Sequence, residues 1–277
     1  MVNNVNTNPG ALIALQNLTR VSESLEETQR RVSTGLEVSS ARDNPAVFAL
    51  AQNQRAQLGS IESVQQGLSI GSSTLDVALA AGEAISDILV ELRGLAVQAA
   101  DESLAASDRT LIQDQFSALT DQITRLVDSA DVGGRNLINN STPAGLTLIA
   151  GPDGTSTISV AAQNLNIGGG ILSINDDGTD LATAAGAVQE ITDIENSIDA
   201  LSRALGAFGA GANAIDLQDR VLTRVSDALE LSIGNLVDAD LARESSRLQA
   251  LQVQQQLAIQ SLSIANAAPN AILALFA

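Results

Sequence analysis

The sequence predicts a mainly α protein, an elongated antiparallel helical bundle of coiled-coil type with a small β-hairpin region set into it. Three observations carry that prediction. Apolar residues recur every seven positions through long stretches, the period of helices that supercoil around partners. Hydrophobic residues fill 45% of the 277 positions but aromatics only 1%, so the apolar mass is Ala, Leu, Ile and Val. That palette packs helices at close range and suits an aromatic-walled pocket poorly. Short β-branched runs broken by turn residues are confined to the stretch 139 to 180.

Asn8-Pro9 opens the first helix, with an N-cap side chain followed by a Pro whose missing N–H costs nothing at the first helical position. Its stripe includes Leu18, Leu25 and Val32, with Leu15 and Val21 beside them, and fades at Ser33-Thr34-Gly35. Residues 33 to 44 read as a linker, and Asn44-Pro45 repeats the start signature. Beyond it Ile61, Leu68, Leu75, Gly82, Leu89 and Ala96 share one heptad phase. Val64, Gly71, Ala78, Ile85, Leu92 and Ala99 share a second, three positions on. The small residues Gly71, Ala78 and Gly82 predict close approach of a neighbouring backbone. From Pro45 this helix makes a rod of ~80 Å at ~1.5 Å per residue. After a break at Asp101 to Asp108, a third helix carries Ile112, Leu119 and Leu126 on one phase and Phe116, Ile123 and Ala130 on the other, ending near Gly133-Gly134.

Four candidate strands follow: Leu146 to Ala150, Thr157 to Val160, Asn164 to Ile167 and Ile171 to Ile174. Turn residues at 152–154, 168–170 and 176–178 separate them into predicted hairpins. Helix returns after Ala182 with Ile194, Leu201, Phe208, Ile215, Leu222, Leu229 and Leu236 seven apart. Ile191, Ile198 and Leu205 form its companion phase, before a weak point at Gly209-Ala210-Gly211. A last helix starts past Asp238 and Asp240, and Pro269 is expected to break or kink it. The helices within 109 to 130 and 182 to 236 can fold back on the long rod. The two terminal helices have no obvious third partner. A lone pair buries too little to offset its ordering entropy, so they are expected to order only when many copies assemble.

Composition removes many functions. Every basic residue is Arg, and 14 of them against 32 acids leave −18. That excludes a basic face for nucleic acid or an anionic membrane surface. Without Cys or His there are no disulfides, thiolate nucleophiles, zinc sites with N or S ligands, or imidazole bases. No signal-peptide pattern and no apolar run of ~18 residues is seen, which predicts a cytosolic protein or export by a route without a cleavable leader.

Several stretches then carry a family resemblance: VNTNPGALIALQNL at 5–18, RRVSTGLEVSSARDNPA at 30–46, LRGLAVQAAD at 92–101, and the long run from GNLVDADLARESSRLQ to NAILALF at 234–276. The chain resembles the bacterial flagellins, most of all the short alphaproteobacterial kind. The resemblance implies a terminal two-helix coiled coil, with 1–42 and 236–277 as an inner domain and 43–235 as a wall domain in which 139–180 is the hairpin region. It implies a structural subunit that polymerises into the extracellular flagellar filament for swimming. Its partners would be itself, hook-associated junction and cap proteins, the flagellar type III export apparatus and an export chaperone, with no cofactor.

On that reading the assembly stripes are Leu12, Leu15, Leu18, Leu25 and Val32 against Leu248, Leu251, Leu257, Ile264, Leu273 and Phe276. Arg30, Arg31, Arg42 and Asp43 cluster where the two domains would meet, as solvated charges or as ion pairs between subunits. Where flagellins sensed by the vertebrate toll-like receptor have an Arg, this chain has Glu91, and where they have a Glu it has Gln115, although Arg93 keeps the pattern. Weak receptor activation is the expectation.

A plain coiled-coil scaffold, a hook-filament junction protein and an injectisome translocator are the rival readings. The junction protein expects a longer or differently patterned middle, and the translocator a membrane-insertion segment. An enzyme would have to rest on carboxylates at Asp176-Asp177, Asp238 with Asp240, or Glu26-Glu27, which solvated turns and helix caps explain more simply. A chain without His cannot carry the H-E-x-x-H insertion of some flagellins. Gly168-Gly169-Gly170 lacks a phosphate-binding context, and Ser and Thr within 141–179 could accept O-linked sugars.

Overall fold

In the computed structural model, residues 7–175 and 178–273 are described, with side chains as far as residue 267. Their regular structure is five helices, α1 (Pro9–Thr34), α2 (Pro45–Ala99), α3 (Ala106–Ser129), α4 (Ala184–Val237) and α5 (Leu241–Leu273), plus two strands, β1 (Leu146–Ile149) and β2 (Thr157–Val160). The chain divides into two compact units, one of Met1–Ala56 with Asp227–Ala277, the other of Gln57–Ser226.

The first unit holds α1 and α5. The Asn8 side chain caps α1 by accepting from the Ala11 N–H at 3.1 Å, and Gly35 ends it at φ 73°, a left-handed conformation that needs no Cβ. The linker then turns back along the end of α4. The N–H groups of Glu37 and Val38 both donate to the Val237 carbonyl, at 2.7 and 3.3 Å. Val38, Ala51 and Val237 form a small core beneath Leu36, Phe48 and Ile233. Asn44 restarts helix, its Oδ1 accepting from the N–H groups of Ala46 and Val47, both at 3.2 Å. Contrary to the expected break, α5 runs helical through Pro269 to Leu273.

In the second unit α2 and α4 run antiparallel. Gln65 meets Asp219 and Thr223, while Arg93 meets Glu195. The α2 seam is as its heptads predict, with Ile61, Leu68, Leu75, Ile85, Leu89 and Leu92 all buried. Two other seams differ from expectation. In α3, Thr120 and Val127 take the buried places while Leu119 and Leu126 are half-exposed. In α4, Ala187, Glu190, Ser197 and Ala204 accompany the buried phase, and Ile191, Ile198 and Leu205 lie at its margin. Leu229 and Leu236 are half-buried rather than core.

Glycines do not draw backbones together as expected; they receive side chains. A Cβ at Gly71 would lie 2.2 Å from Leu148 Cδ1, and one at Gly82 would lie 2.4 Å from Leu205 Cδ2. Gly211, expected to weaken α4, is a seat for β2 in an unbroken helix, since a Cβ there would fall 2.6 Å from Val160 Cγ2.

One hairpin forms, with Leu146 opposite Val160 and Ile149 opposite Thr157. The second does not. The N–H groups of Gln163 and Leu165 donate instead to the Leu137 and Ile138 carbonyls, at 2.9 and 2.7 Å. Asn164 and Asn166 side chains donate to the Gly169 and Asn139 carbonyls. Side-chain amides thus compete with a strand ladder and win, while Leu165, Leu172 and Ile174 are still buried.

Candidate assembly interface

The α1 and α5 helices pair in antiparallel register. Asn8 Nδ2 donates to the Ala265 carbonyl at 2.7 Å, Gln255 Nε2 to Ser22 Oγ at 3.4 Å, and Arg31 Nη1 to Glu244 Oε1 at 3.4 Å. The seam is thin: Ala14, Leu25 and Thr28 of α1, and Glu244 and Leu251 of α5, are its buried side chains. Leu18, Val32 and Leu248 are half-buried beside them. Leu12, Leu15, Leu257 and Ile264 are not covered, at 53%, 49%, 59% and 67% exposed. The side chains of Leu273 and Phe276 fall outside the described residues. The predicted stripe therefore separates into a part the chain covers itself and a part left to solvent.

Of the charge cluster, Arg30 Nη2 lies 3.8 Å from Asp43. Arg31 is shared between Glu27 at 2.7 Å and Glu244 at 3.4 Å. Arg42 is exposed and makes no ion pair among the described residues. Asp43 braces the linker. Its Oδ2 accepts from the hydroxyl and N–H of Ser39 and of Ser40, and these bonds, the Ser39 hydroxyl first, hold its carboxyl below the usual range.

Sequence reasoning missed Glu244 and Glu190, both charged residues hidden at positions where hydropathy predicts none. Among the described residues Glu244 Oε2 has no hydrogen-bond partner. The signal was positional: Glu190 lies four residues before Ile194, and Glu244 three after Leu241, on stripes that continue past them.

In the region likened to a receptor contact, Glu91 and Gln115 are exposed, and Arg93 Nη2 pairs with Glu195 at 2.6 Å. Of the acidic candidates, Asp240 caps α5 through the N–H groups of Ala242 and Arg243, and Glu27 is tied to Arg31. Asp176 and Asp177 lie outside the described residues. Gly168 is in a turn, its N–H donating to the Leu172 carbonyl at 2.8 Å. Among the described residues no group of three or more His, Cys, Asp or Glu could hold a metal ion, and no helix is long and apolar enough to cross a membrane.

Long helices with a glycine-seated hairpin, and a thin terminal pair that keeps apolar side chains outward, define a structural protein made to pack against other molecules. A model of the bacterial flagellin N-terminal helical region matches residues 5–142, and one of the C-terminal helical region matches 191–276. The chain is 41% identical to flagellin FljO of Caulobacter vibrioides over 99% of both chains. It is 32% identical to a flagellin of Brucella melitensis over 98% of both. A solved Vibrio parahaemolyticus structure described as a flagellar hook-associated protein shares the fold at a TM-score of 0.59, with 16% identity over 71% of this chain and all of that one. The chain belongs to the bacterial flagellin family, and is a structural subunit of the flagellar filament.

Proposed function

We propose that the work of this chain is assembly itself: one face of each copy meets a different face of the next, a contact that cannot close and so propagates as an extracellular filament. The observation that carries this is the exposure of Leu12, Leu15, Leu257 and Ile264 on the paired terminal helices. Large apolar surface left open in this way marks a protein contact. Leu18, Leu25, Val32, Leu248 and Leu251 serve the pair, and Leu273 and Phe276 extend the stripe toward neighbours.

Among the described residues, five buried side chains are few for helices as long as α1 and α5. Packing by neighbouring copies supplies the missing burial, so polymerisation and ordering of the ends are coupled. Residues 1–42 with 236–277 then form the inner coiled coil and 43–235 the wall. Arg42 is available to a neighbour's carboxylate. The chain acts without catalysis, leaves the cell through the flagellar type III apparatus with a chaperone, and joins hook-associated junction and cap proteins.

Leu257→Asp with Ile264→Asp tests this in the purified full chain. Negative-stain microscopy should find no filaments, while circular dichroism still reports the helices of residues 57–226. Filaments of normal number and length would overturn it.

A further inference from the structure

Between Gln57 and Ser226 the exposed face of α2 is acidic, whereas residues 217–224 of α4 turn Arg and apolar side chains to solvent. On α2 the exposed residues include Glu62, Asp76, Glu83, Asp87 and Glu91. The α2 Arg nearest to them, Arg93, is already held by Glu195. On α4 every Arg, namely Arg203, Arg220 and Arg224, is exposed. Arg220 and Arg224 stand beside Leu217 and Val221, which are 64% and 44% exposed, and Arg203 lies further along the helix toward its start. None of these eight charged side chains makes an ion pair among the described residues. Asp216, Asp219 and Asp227 each stand within four residues of Arg220 or Arg224 in sequence, yet among the described residues none closes a bridge to them.

The spacings make each set a stripe. Leu217, Val221 and Arg224 are four and three apart, and Glu83, Asp87 and Glu91 are four apart, so each falls on one side of its helix. Copies that each carry −18 repel one another. Contact between them gains where the scarce Arg side chains meet carboxylates and apolar surface is covered as well. The α4 stripe offers both, and the α2 stripe is its charge complement.

We propose that the α4 face of Arg203, Leu217, Arg220, Val221 and Arg224 docks on the acidic α2 face of a second copy of this chain. The proposal rests on the filament reading above and identifies one of its contacts. Because the two faces differ, the contact is heterologous, as an open helical polymer requires.

Charge reversal separates the outcomes. One full-length variant carries Arg220→Glu with Arg224→Glu, the other Glu83→Arg with Asp87→Arg. Pelleting under polyethylene glycol, an uncharged precipitant, gives the concentration at which polymer forms. Each variant alone should need at least ten times the wild-type concentration. An equimolar mixture should recover most of the difference, since the now acidic α4 face of the first variant meets the now basic α2 face of the second, and their two unreversed faces still match.

Either variant polymerising alone at the wild-type concentration would overturn the proposal, as would a mixture no better than its parts when both keep wild-type circular dichroism. Where reversal costs helicity, Arg220→Gln with Arg224→Gln replaces it and must raise the threshold at least threefold. A wild-type chain that never pellets would instead count against the filament reading.

Discussion

Glu190 sits in the α4 seam with 1% of its surface exposed. Burial pushes its carboxyl up to about 7, Asp180 and Asp193 add repulsion, and the Asn175 N–H opposes both by donating to Oε1 at 3.3 Å. Below the ordinary glutamate value of 4.5 the folded and unfolded chains both hold the proton, and stability is complete. As pH rises from there to about 7 the unfolded chain ionises first, so stability falls, and it levels off above that. At ~1.4 kcal/mol per pH unit the loss is about 3 kcal/mol. Glu190→Gln should therefore unfold at a higher temperature than wild type at pH 8 and at nearly the same temperature at pH 5. Parallel melting curves at both pH values would refute this. At the receptor-like surface, Glu91 offers a carboxylate where a guanidinium is expected, and unpaired charge in a buried contact commonly costs several kcal/mol. Reporter cells should respond weakly to this chain beside an enteric flagellin; an equal response would refute it.

Among the elements, α4 tests whether its glycines are seats or slack. At Gly211 an added methyl meets the stiff, strand-held Val160 at 2.6 Å, whereas at Gly206 it meets nothing within 4 Å. Gly211→Ala should lose about 1–2 kcal/mol by overpacking, and Gly206→Ala should gain up to about 1 kcal/mol of helix propensity. Urea unfolding of the two variants measures both, and equal shifts would show that the hairpin does not press on the helix. The same helix shows why sequence reading succeeds in part. Its first phase as far as Leu222, and the α2 seam, were legible because Leu, Ile and Phe recur there at heptad spacing. The companion phase was not, since Ser197, Ala204 and Gly211 carry little hydropathy and are chosen for size. The second hairpin failed for a related reason: Asn164 and Asn166 side chains take bonds that β-branched neighbours suggested for a ladder. At the assembly surface the apolar stripe was visible, but its division between Leu25 or Leu251, covered, and Leu257 or Ile264, open, depends on helix rotation that spacing alone leaves undetermined.

For the whole molecule, composition and termini said most. The 32 acids, the 14 Arg and the missing Cys and His removed most chemistries, and the long terminal motifs carried the family. The pairing of those termini bears on timing. Asn8 finds its partner at Ala265, a separation of 257 residues, and contacts so distant along the chain form late. A molecule emerging from either end first holds one half of the clasp with nothing to fasten to. Only when both ends are present can it shut, so a chain lacking either terminal helix leaves the other unpaired.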